Sequence, residues 1–422
     1  MDGKQLYEAV LGLCKPWRVV DVCVDPKGLE VVVKVGHKDG QTFQCPECAR
    51  KLGVYDHLNR RWRHLDTCQF KTYLEADVPR VSCPDHGIHQ VEVPWAEPRG
   101  RFTAMFEAYV IWFVQLSPSL AKAAQWFGIS WDEADGIVGR AVKRGRERKA
   151  VKPIKHMAVD ETSFAKGQDY VVVVSNQDTG TVEEVLEDRT QQTLEKYYDE
   201  RPKGYLKKIK SVSMDMWMAF ISATKAKVPE AERKICFDRF HVSGHLCKGV
   251  DEVRRKERKE LAEAGWKGLL EGTKYEWLRN AGLVDNRARR WFMEISRCEL
   301  KTARAWAMKE MAGHMWDYAS EGWARRQWKR LIYRLLRSKL EPMEKVGRMI
   351  RNHLEGILNA IRLRVSNGQA ESLNAGIQRI KNCGCGYRNK SRFSRMILFV
   401  KGGLELYPEG VATPWKGAHT EA

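Results

Sequence analysis

The chain has 422 residues, which is enough for several domains of roughly 100–200 residues each. Hydrophobic residues make up 43% of it and charged residues 30%, as in soluble globular proteins, and no apolar run approaches the roughly 20 residues of a membrane-spanning helix. The net charge is +19, so the expected partner is an acidic polymer, most simply nucleic acid.

The first residues of the chain are predicted to form β-structure. Residues 1–42 contain apolar side chains at alternate positions, which is typical of a half-buried strand. These side chains are Leu29, Val31, Val33 and Val35. We assign no chemistry to this N-terminal β segment.

Two pairs of residues, Cys45 with Cys48 and Cys83 with His86, have the spacing of a structural zinc site. Thiolate and imidazole ligands suit the tetrahedral shell of zinc, and a gap of two residues lets one turn present both ligands. The 11 cysteines are an odd number, which favours metal binding by a subset over a disulfide framework. We therefore predict a zinc-binding finger over residues 43–98, in which zinc stabilises the fold and does not catalyse.

Two alternatives for these side chains stay open at this point. The cysteines could be free of metal, or another side chain could replace one of the four ligands. The candidate substitutes are His64, Cys68 and His89, of which His89 would most simply replace His86.

Residues 99–150 are predicted to form a helix-turn-helix DNA-binding domain. A helix over residues 120–127 is followed by a turn at Gly128 and by a second helix whose start is capped by Ser130 and Glu133. An ordinary helical hairpin is the alternative, because spacing alone does not distinguish the two.

The second helix of this domain has an uneven distribution of charge. Its first turn carries Asp132, Glu133 and Asp135, which would face phosphates poorly and argue against direct reading of bases. Basic residues follow, and we predict that they contact phosphates without sequence preference, although a solvated basic face is the alternative. They are Arg140, Lys143, Arg144, Arg146, Arg148 and Lys149, and the run continues to Lys152 and Lys155.

Two predicted strands each end on an aspartate. The first is short and apolar and reaches Asp160, after which the β-branched run 169–176 and a third strand complete a meander. A later strand of alternating polarity ends on Asp215. Such residues commonly cap helices, so either aspartate alone would be weak support for a catalytic site.

A further predicted strand ends on Asp238, which we rank below Asp215. Asp238 could be a fourth acid near a metal, or it could orient His241. His241 in turn could position a water molecule or a phosphate, or it could have only a structural role.

Glu371 lies near the start of a predicted helix. Its polar face carries Glu371, Asn374, Gln378 and Lys381, and its apolar face carries Leu373, Ile377 and Ile380. Glu371 is therefore able to point at the two strand-end aspartates.

Three acids on rigid elements suit hard divalent cations, because Mg²⁺ prefers carboxylate oxygens and Mn²⁺ accepts them. Two such ions about 3.5–4 Å apart can contact both the attacking and the leaving oxygen of a phosphodiester. The pattern therefore favours metal-dependent phosphodiester chemistry at Asp160, Asp215 and Glu371.

Between the second aspartate and Glu371, residues 243–365 are predicted to form an all-helical insertion. Its tryptophans are interpreted as packing residues, with stacking of one or two on an unpaired base as the alternative. They are Trp266, Trp277, Trp291, Trp306, Trp316, Trp323 and Trp328.

The residues after Glu371 are strongly basic, and we predict that they form a DNA-binding surface. The basic residues are Arg379, Lys381, Arg388, Lys390 and Arg392, with Tyr387 and Phe393 between them. Residues 408–422 are polar and rich in Gly and Pro, which is typical of a disordered tail.

Several segments together resemble the ISL3 family of bacterial insertion-sequence transposases, and the resemblance extends from about Cys45 to about Pro408. The segments are Val159-Asp160-Glu161, Met214-Asp215-Met216-Trp217, residues 237–242, 272–275, 300–306, 367–374 and 384–389. Many motifs in the same order are far more specific than an acid triad alone.

The resemblance implies a multidomain α+β protein with an RNase H-like α/β catalytic core over residues 151–242 and 366–407, interrupted by the insertion. It implies that Asp160, Asp215 and Glu371 are the metal-holding triad of a DDE transposase. The expected cofactors are Mg²⁺ or Mn²⁺ at the triad and a structural Zn²⁺ in the finger.

The expected partner is double-stranded DNA, at the ends of the element and at its target. Because two DNA ends must be joined in concert, we expect at least a dimer. The N-terminus has no signal-peptide pattern, so a cytoplasmic, nucleoid-associated protein is expected. Two other classes stay open: a DNA-binding regulator with a silent core, and an RNase H-like nuclease acting on RNA–DNA hybrids or junctions.

Overall fold

The computed structural model describes residues 2–165, 169–279, 294, 299–365 and 368–411. The chain divides into two compact units, which are Met1–Lys149 with Leu404–Ala422, and Ala150–Gly403. Three predictions lie outside the described residues: the position of Trp291, the loop at Ser366 and Asn367, and residues 412–422 of the tail.

The first unit begins with a helix and a six-stranded sheet. Its elements are α1 (Gly3–Leu11), β1 (Trp17–Asp25), β2 (Glu30–His37), β3 (Thr42–Gln44), β4 (Lys51–Thr67), β5 (Phe70–Cys83) and β6 (Gly87–Gln90). The sheet order is β1-β2-β5-β4-β3, with β6 paired to β5. Because β2 pairs in parallel with β5, the N-terminal segment and the finger share one sheet.

Helix α1 corrects the prediction that residues 1–42 form only β-structure. The Asp2 side chain accepts from Gln5 N–H at its start, and the Gln5 side chain accepts from Asp2 N–H, which is a capping box. Tyr7 and Leu11 bury one face of the helix in the core of the sheet. The capping signal was present in the sequence, but the helix is too short for a clear periodicity.

Three helices complete the first unit: α2 (Ala104–Leu116), α3 (Leu120–Phe127) and α4 (Trp131–Arg148). Gly128 ends α3 with a φ of 61°, a left-handed conformation that favours glycine. The predicted capping box of Ser130 and Glu133 starts α4. The buried side chains of α4 include Ile137, Val138, Ala141 and Val142.

The second unit contains a five-stranded sheet. Its strands are β7 (His156–Ala165), β8 (Asp169–Asn176), β9 (Thr181–Leu186), β10 (Ser211–Met214) and β11 (Ile235–Phe237), in the order β11-β10-β7-β8-β9. Strands β7, β8 and β9 pair antiparallel, whereas β10 pairs in parallel with both β7 and β11.

One strand boundary differs from the prediction. Strand β7 does not end at Asp160 but continues to Ala165, where it still pairs with Asp169 of β8. The reason is that Thr162 and Phe164 remain buried beyond the aspartate. Asp160 therefore lies in the middle of a strand.

Helices surround this sheet and fill the sequence between β11 and the last segment. They are α5 (Gln191–Asp199), α6 (Met218–Lys227), α7 (Ala231–Lys234), α8 (Arg239–Glu263), α9 (Lys274–Leu278), α10 (Lys301–His314), α11 (Glu321–Leu336), α12 (Glu341–Asn352), α13 (Leu354–Leu363), α14 (Gly368–Cys383) and α15 (Lys390–Lys401). Between β11 and α14, the described residues form helices and no strand. None of the described helices combines the length and apolar character that a bilayer crossing requires.

The tryptophans between β11 and α14 divide by burial. Trp277 and Trp328 are fully buried, so these two are packing residues. Trp266 and Trp323 are exposed, and Trp306 and Trp316 pack at the edge of the hydrophobic core.

Candidate active site and metal centre

Three aspartates lie side by side on neighbouring strands of the second unit. The parallel register aligns Val159 of β7 with Met214 of β10, and Met214 with Phe237 of β11. The next residues along the chain are Asp160, Asp215 and Asp238. All three line one small cleft, together with His241 of α8. Neighbouring strands are about 4.8 Å apart, so this edge of the sheet concentrates negative charge.

Asp160 is held by a contact from α14. Its Oδ1 accepts a hydrogen bond from Glu161 N–H at 2.8 Å, and its Oδ2 accepts one from Asn374 Nδ2 at 2.6 Å. The Asn374 carbonyl oxygen lies 3.4 Å from Thr162 Oγ1, which donates to it. Asn374 therefore has both ends of its amide engaged by β7, which fixes the orientation of the Asp160 carboxylate.

Asp215 and Asp238 differ in what they contact. Asp215 Oδ1 accepts from Met216 N–H at 2.6 Å and lies 3.6 Å from His241 Nδ1. Asp238 is the N-cap of α8 and accepts from Phe240 N–H at 2.9 Å. His241 therefore lies against Asp215, and it shares the cleft with Asp238.

Glu371 lies in the first turn of α14, and the predicted apolar face of this helix is buried. Ala370 lines the cleft of the aspartates, whereas Glu371 lines an adjoining cavity of about 630 Å³ that also contains Asp238. In the described parts of the chain, only the zinc-type cluster brings three or more His, Cys, Asp or Glu ligand atoms within 4.8 Å of one another. The structure thus gathers the aspartates in one cleft and places Glu371 in the adjoining cavity, and the ligand atoms of the three predicted acids do not all lie within 4.8 Å of one another.

The cavity beside Glu371 has aromatic walls. Phe240 and Tyr318 are exposed there, and Trp316 is half-buried. Arg239 and Arg364 also line it. Flat π-surfaces and guanidinium groups next to an acidic cleft can stack with a nucleobase and contact a phosphate.

Sequence reasoning missed two charged residues near the cleft. Burial raises the pKa of Glu161, and the charges of Asp215 and Asp160 raise it further. Arg189 opposes this, since its Nη1 lies 3.4 Å from Glu161 Oε2. The guanidinium carbon of Arg189 lies 4.9 Å and 5.0 Å from the ring centroids of Tyr170 and Trp217. The position of Glu161 next to Asp160 was the available signal, but nothing in the sequence pointed to Arg189.

The donor set of the cleft fits a hard divalent cation. Asp160, Asp215, Asp238 and Glu371 offer carboxylate oxygens, and no thiol lines the cleft or the adjoining cavity. Oxygen-only donor sets suit Mg²⁺ and Mn²⁺, whereas zinc and copper sites commonly contain sulfur or several imidazoles.

A second metal-type cluster is found in the first unit. Cys45 and Cys48 lie in the turn between β3 and β4, Cys83 ends β5, and His86 precedes β6. Their ligand atoms all lie within 4.8 Å of one another. The Cys48 and Cys83 sulfurs are 3.8 Å apart. This is about the separation of two thiolates that are each about 2.3 Å from a tetrahedral zinc ion.

The alternative ligands lie outside this cluster. His64 is buried and hydrogen-bonds Thr103 Oγ1 at 2.8 Å, and His89 Nε2 lies 2.6 Å from the His86 carbonyl oxygen. Cys68 is exposed in the turn between β4 and β5. A hydrogen bond from His86 lowers the pKa of the Cys83 thiol to about 6, which favours the thiolate that binds metal.

Comparison with known proteins decides the family. Residues 157–397, more than half of the chain, match the family model of ISL3 DDE transposases. The chain belongs to the ISL3 family of transposases. Residues 41–86 match the zinc-finger of transposases IS204, IS1001, IS1096 and IS1165, and residues 91–142 match the helix-turn-helix domain of transposase family ISL3. The resemblance in the sequence is therefore confirmed, and the zinc-finger match supports a structural zinc at the Cys–His cluster.

Curated relatives agree with the ISL3 assignment. The transposase for insertion sequence element IS1557 from Mycobacterium tuberculosis is 24% identical, and the match covers 96% of each chain. The transposase for insertion sequence element IS1001 from Bordetella parapertussis is 24% identical, over 83% of this chain and 86% of its own.

Within this ISL3-family chain, the basic residues of α4 divide between two faces. Arg140, Arg144 and Arg148 follow a spacing of four, so they share one stripe of the helix. Arg144 is buried, its Nε donates to Glu97 Oε1 at 2.9 Å, and its guanidinium also reaches the Leu406 carbonyl oxygen. Arg144 is therefore engaged inside the unit, which corrects its assignment to the DNA surface.

The other two members of the stripe also have partners within the unit. Arg140 pairs with Glu107, and Arg148 donates to the Tyr407 carbonyl oxygen at 2.7 Å. On the remaining faces, Lys143 and Arg146 are exposed and Lys149 is half-buried.

The predicted basic surface after Glu371 divides in the same way. Lys381 Nζ donates to the Ser163 carbonyl oxygen at 2.8 Å, and Lys390 Nζ lies 2.6 Å from Asp169 Oδ1. Phe393 is fully buried and packs on Phe164 and Tyr387, so it belongs to the core and not to the surface. The exposed members of the set are Arg379, Arg388 and Arg392.

Proposed function

We propose that this chain is the transposase of an insertion sequence, which binds the terminal inverted repeats of its element and cleaves and joins DNA strands there. The observation that carries the proposal is the row of Asp160, Asp215 and Asp238 beside Glu371, inside the part of the chain that matches ISL3 transposases. The relatives named as transposases extend over most of the chain and support the same conclusion.

The core is proposed to have an RNase H-like fold. In chain order its strands are three antiparallel strands followed by two parallel ones, and the sheet order is third-second-first-fourth-fifth. The helices between β11 and α14 are proposed to be an insertion within this core, because the described residues between β11 and α14, which carries Glu371, form helices and no strand.

Asp160, Asp215 and Glu371 are proposed as the residues that hold the catalytic metal, with Asp238 as a further acid. When bound, a pair of Mg²⁺ or Mn²⁺ ions would supply activation of the attacking oxygen and stabilisation of the leaving oxygen. Asn374 would hold the Asp160 carboxylate toward the cleft. His241 would orient the Asp215 carboxylate, because His241 Nδ1 lies 3.6 Å from Asp215 Oδ1.

The first unit is proposed to bind the ends of the element. Cys45, Cys48, Cys83 and His86 would hold a structural zinc that fixes the β3–β4 and β5–β6 turns. DNA contacts of α4 would come from its exposed side, which carries Lys143 and Arg146. In the second unit, the proposed phosphate contacts are Arg379, Arg388 and Arg392.

The assembly and the location of the protein follow from the proposed reaction. Joining two element ends to one target requires two active sites, so a dimer or larger oligomer is proposed. Its substrate is genomic DNA, so it would act in the bacterial cytoplasm at the nucleoid.

Substitution of Glu371 by Gln tests the site. The labelled substrate is a duplex that carries one end of the element, incubated with Mg²⁺ or Mn²⁺. We expect Glu371→Gln to abolish cleavage while binding to the same duplex is retained, because the change removes one charge and keeps the shape of an exposed side chain. The matched control is Gln378→Ala on the same face of α14, which should cut normally. Retained cleavage in Glu371→Gln would exclude the proposed triad, and intact binding without cleavage by the unmodified protein would favour a regulator with a silent core.

A further inference from the structure

The sheet of the second unit has opposite charges at its two ends. Asp215 and Asp238 directly follow β10 and β11, whereas Lys210 and Lys234 directly precede them. Lys155 precedes β7 in the same way. Because β7, β10 and β11 are parallel, these three lysines lie together at the end of the sheet that is remote from the acids.

The lysines line a cleft of about 850 Å³, here called the basic cleft. The cationic residues that line it are Lys155, Lys207, Lys208, Lys210, Arg233, Lys234 and Arg362, and the acidic residue is Glu230. All of them belong to the second unit.

Most of these cations lack a carboxylate partner. Arg362 lies 3.8 Å from Glu321 and donates to the Arg233 carbonyl oxygen at 2.7 Å. Among the described residues, no carboxylate oxygen lies within 4.0 Å of the charged group of the others. These six are Lys155, Lys207, Lys208, Lys210, Arg233 and Lys234. Crowded like charges repel one another and destabilise a folded chain, so their accumulation in one cleft favours an anionic ligand.

The ligand of the basic cleft is not the phosphodiester that is cleaved. Asp215 is four steps along the chain from Ser211, the first residue of β10, which corresponds to about 13 Å at about 3.3 Å per residue. Adjacent base pairs of a duplex are about 3.4 Å apart along its axis, so a phosphate in the cleft lies several nucleotides from the acids or on another duplex.

We propose that the basic cleft binds the phosphodiester backbone of double-stranded DNA, at phosphates away from the cleavage site. This proposal rests on the proposed function for its substrate class. Six of the seven cations line the cleft without an ion pair, and five of the seven are lysines, which act as point charges and do not impose the planar geometry of a bidentate contact. Such a surface holds a backbone without reading its sequence.

The test compares two sets of three substitutions in the full chain. One combines Lys207→Gln, Lys208→Gln and Lys210→Gln in the basic cleft. The matched control combines Lys259→Gln, Lys267→Gln and Lys329→Gln, which removes the same charge from exposed positions of the same unit outside the cleft. Fluorescence anisotropy measures the Kd for labelled duplexes between about 50 and 200 mM KCl, where phosphate contacts have a strong salt dependence.

We expect the cleft variant to weaken binding at least tenfold relative to the control variant. The slope of log K against log salt should become less negative by about 2.7, since each lost phosphate contact accounts for about 0.9. Replacing the same three lysines with arginine should restore both quantities, because the charge is kept. Equal affinities and equal slopes for the cleft and control variants would overturn the proposal.

Two duplexes distinguish the source of the backbone. A duplex that carries an element end and an unrelated duplex of the same length are measured in parallel. If the cleft variant binds only the element end more weakly, the cleft contacts the DNA that flanks the cut. If it binds both duplexes more weakly, the cleft contacts any duplex, including a target. Cleavage of the element end by the unmodified protein in Mg²⁺ is measured separately. Absence of cleavage would contradict the proposed function, whereas an unchanged Kd in the cleft variant would contradict the proposal for the basic cleft.

Discussion

Asn374 Nδ2 donates to Asp160 Oδ2 at 2.6 Å, although 214 residues separate the two in sequence. Asn374 lies one helical turn after Glu371, so the helix that carries one proposed metal ligand also holds another. A shift of α14 would therefore move Glu371 and release Asp160 together. The contact links the first strand of the sheet to the segment that follows the helices of residues 239–363.

Removing this contact should impair catalysis without removing the acids. We expect Asn374→Ala to lower the rate of strand cleavage roughly 10- to 100-fold, the usual effect of losing a residue that orients a metal ligand. Asn374→Asp should be worse, because a second carboxylate would face Asp160. The measurement is single-turnover cleavage as a function of Mg²⁺ concentration. Raised Mg²⁺ should partly rescue Asn374→Ala, and an unchanged Mg²⁺ dependence would show that Asn374 does not act through the metal site.

Loss of the zinc ligands should unfold the finger. We expect Cys48→Ser to lower the bound zinc below one ion per chain and to reduce the affinity for the element end, because the turn between β3 and β4 would lose its link to β5. Elemental analysis and DNA-binding measurements check the two effects. Cys68→Ser is the control, since Cys68 is an exposed cysteine outside the cluster. Full zinc content in Cys48→Ser would contradict the ligand assignment.

Two neighbouring basic residues of α4 should behave differently. Arg144→Ala should lower the free energy of unfolding by about 3 kcal/mol, because it leaves the buried Glu107 with fewer cationic partners. Lys143→Ala should leave stability unchanged and weaken DNA binding, since the Lys143 side chain is 79% exposed. Denaturant unfolding and anisotropy measure the two properties. A stable Arg144→Ala variant that binds DNA poorly would reverse this division.

Burial raises the pKa of Glu107, even though Arg140 and Arg144 lower it. A carboxyl group with a raised folded-state pKa favours the folded state at low pH, and this contribution is lost as the pH rises through that value. Without Arg144, the pKa of Glu107 should rise further. We therefore expect the loss of unfolding free energy in Arg144→Ala to become smaller as the pH falls toward the ordinary pKa of a glutamate. Denaturant unfolding across a pH series would detect this change. A deficit that grows on acidification would contradict the burial argument.

The aromatic cavity beside Glu371 should matter for DNA that must be locally unpaired. We expect Phe240→Ala to slow cleavage of a fully paired element end, and a mismatch at the cut site to restore part of the rate, because the mismatch lowers the cost of unstacking a base. Trp323→Ala is the control, as an exposed tryptophan outside the cavity. Equal slowing of paired and mismatched ends would show that Phe240 does not contact an unpaired base.

The sequence predicted the elements whose signals are local. The strands that carry Asp215 and Asp238, the capped helix after Gly128 and the apolar face of α14 each follow from a short pattern of residues. The Cys–His spacing likewise identified the metal cluster, because two-residue gaps restrict the turn geometry. The family resemblance was then needed to choose Asp160, Asp215 and Glu371 as the predicted triad, because spacing alone does not distinguish among the acids.

Contacts between distant segments were not predictable in this way. Nothing near Asn374 indicates Asp160. In α4, the spacing from Ile137 and Ala141 places Arg144 at the edge of the buried face, but nothing in the sequence indicates that Glu97 is its partner. Such partners depend on which segment the fold brings against a helix face. The basic cleft is a further example, since Lys155, Lys210 and Lys234 become neighbours only because β7, β10 and β11 are parallel.

The most direct measurement of the central claim is a strand-cleavage assay on the DNA that flanks the gene of this protein. Each strand of the duplex is labelled in turn, and the protein is added with Mg²⁺ or Mn²⁺. The account predicts metal-dependent nicks at the edge of an inverted repeat that are absent with Asp160→Ala, while that variant still binds the duplex. Tight binding without cleavage in either metal, or equal cleavage by Asp160→Ala, would contradict it.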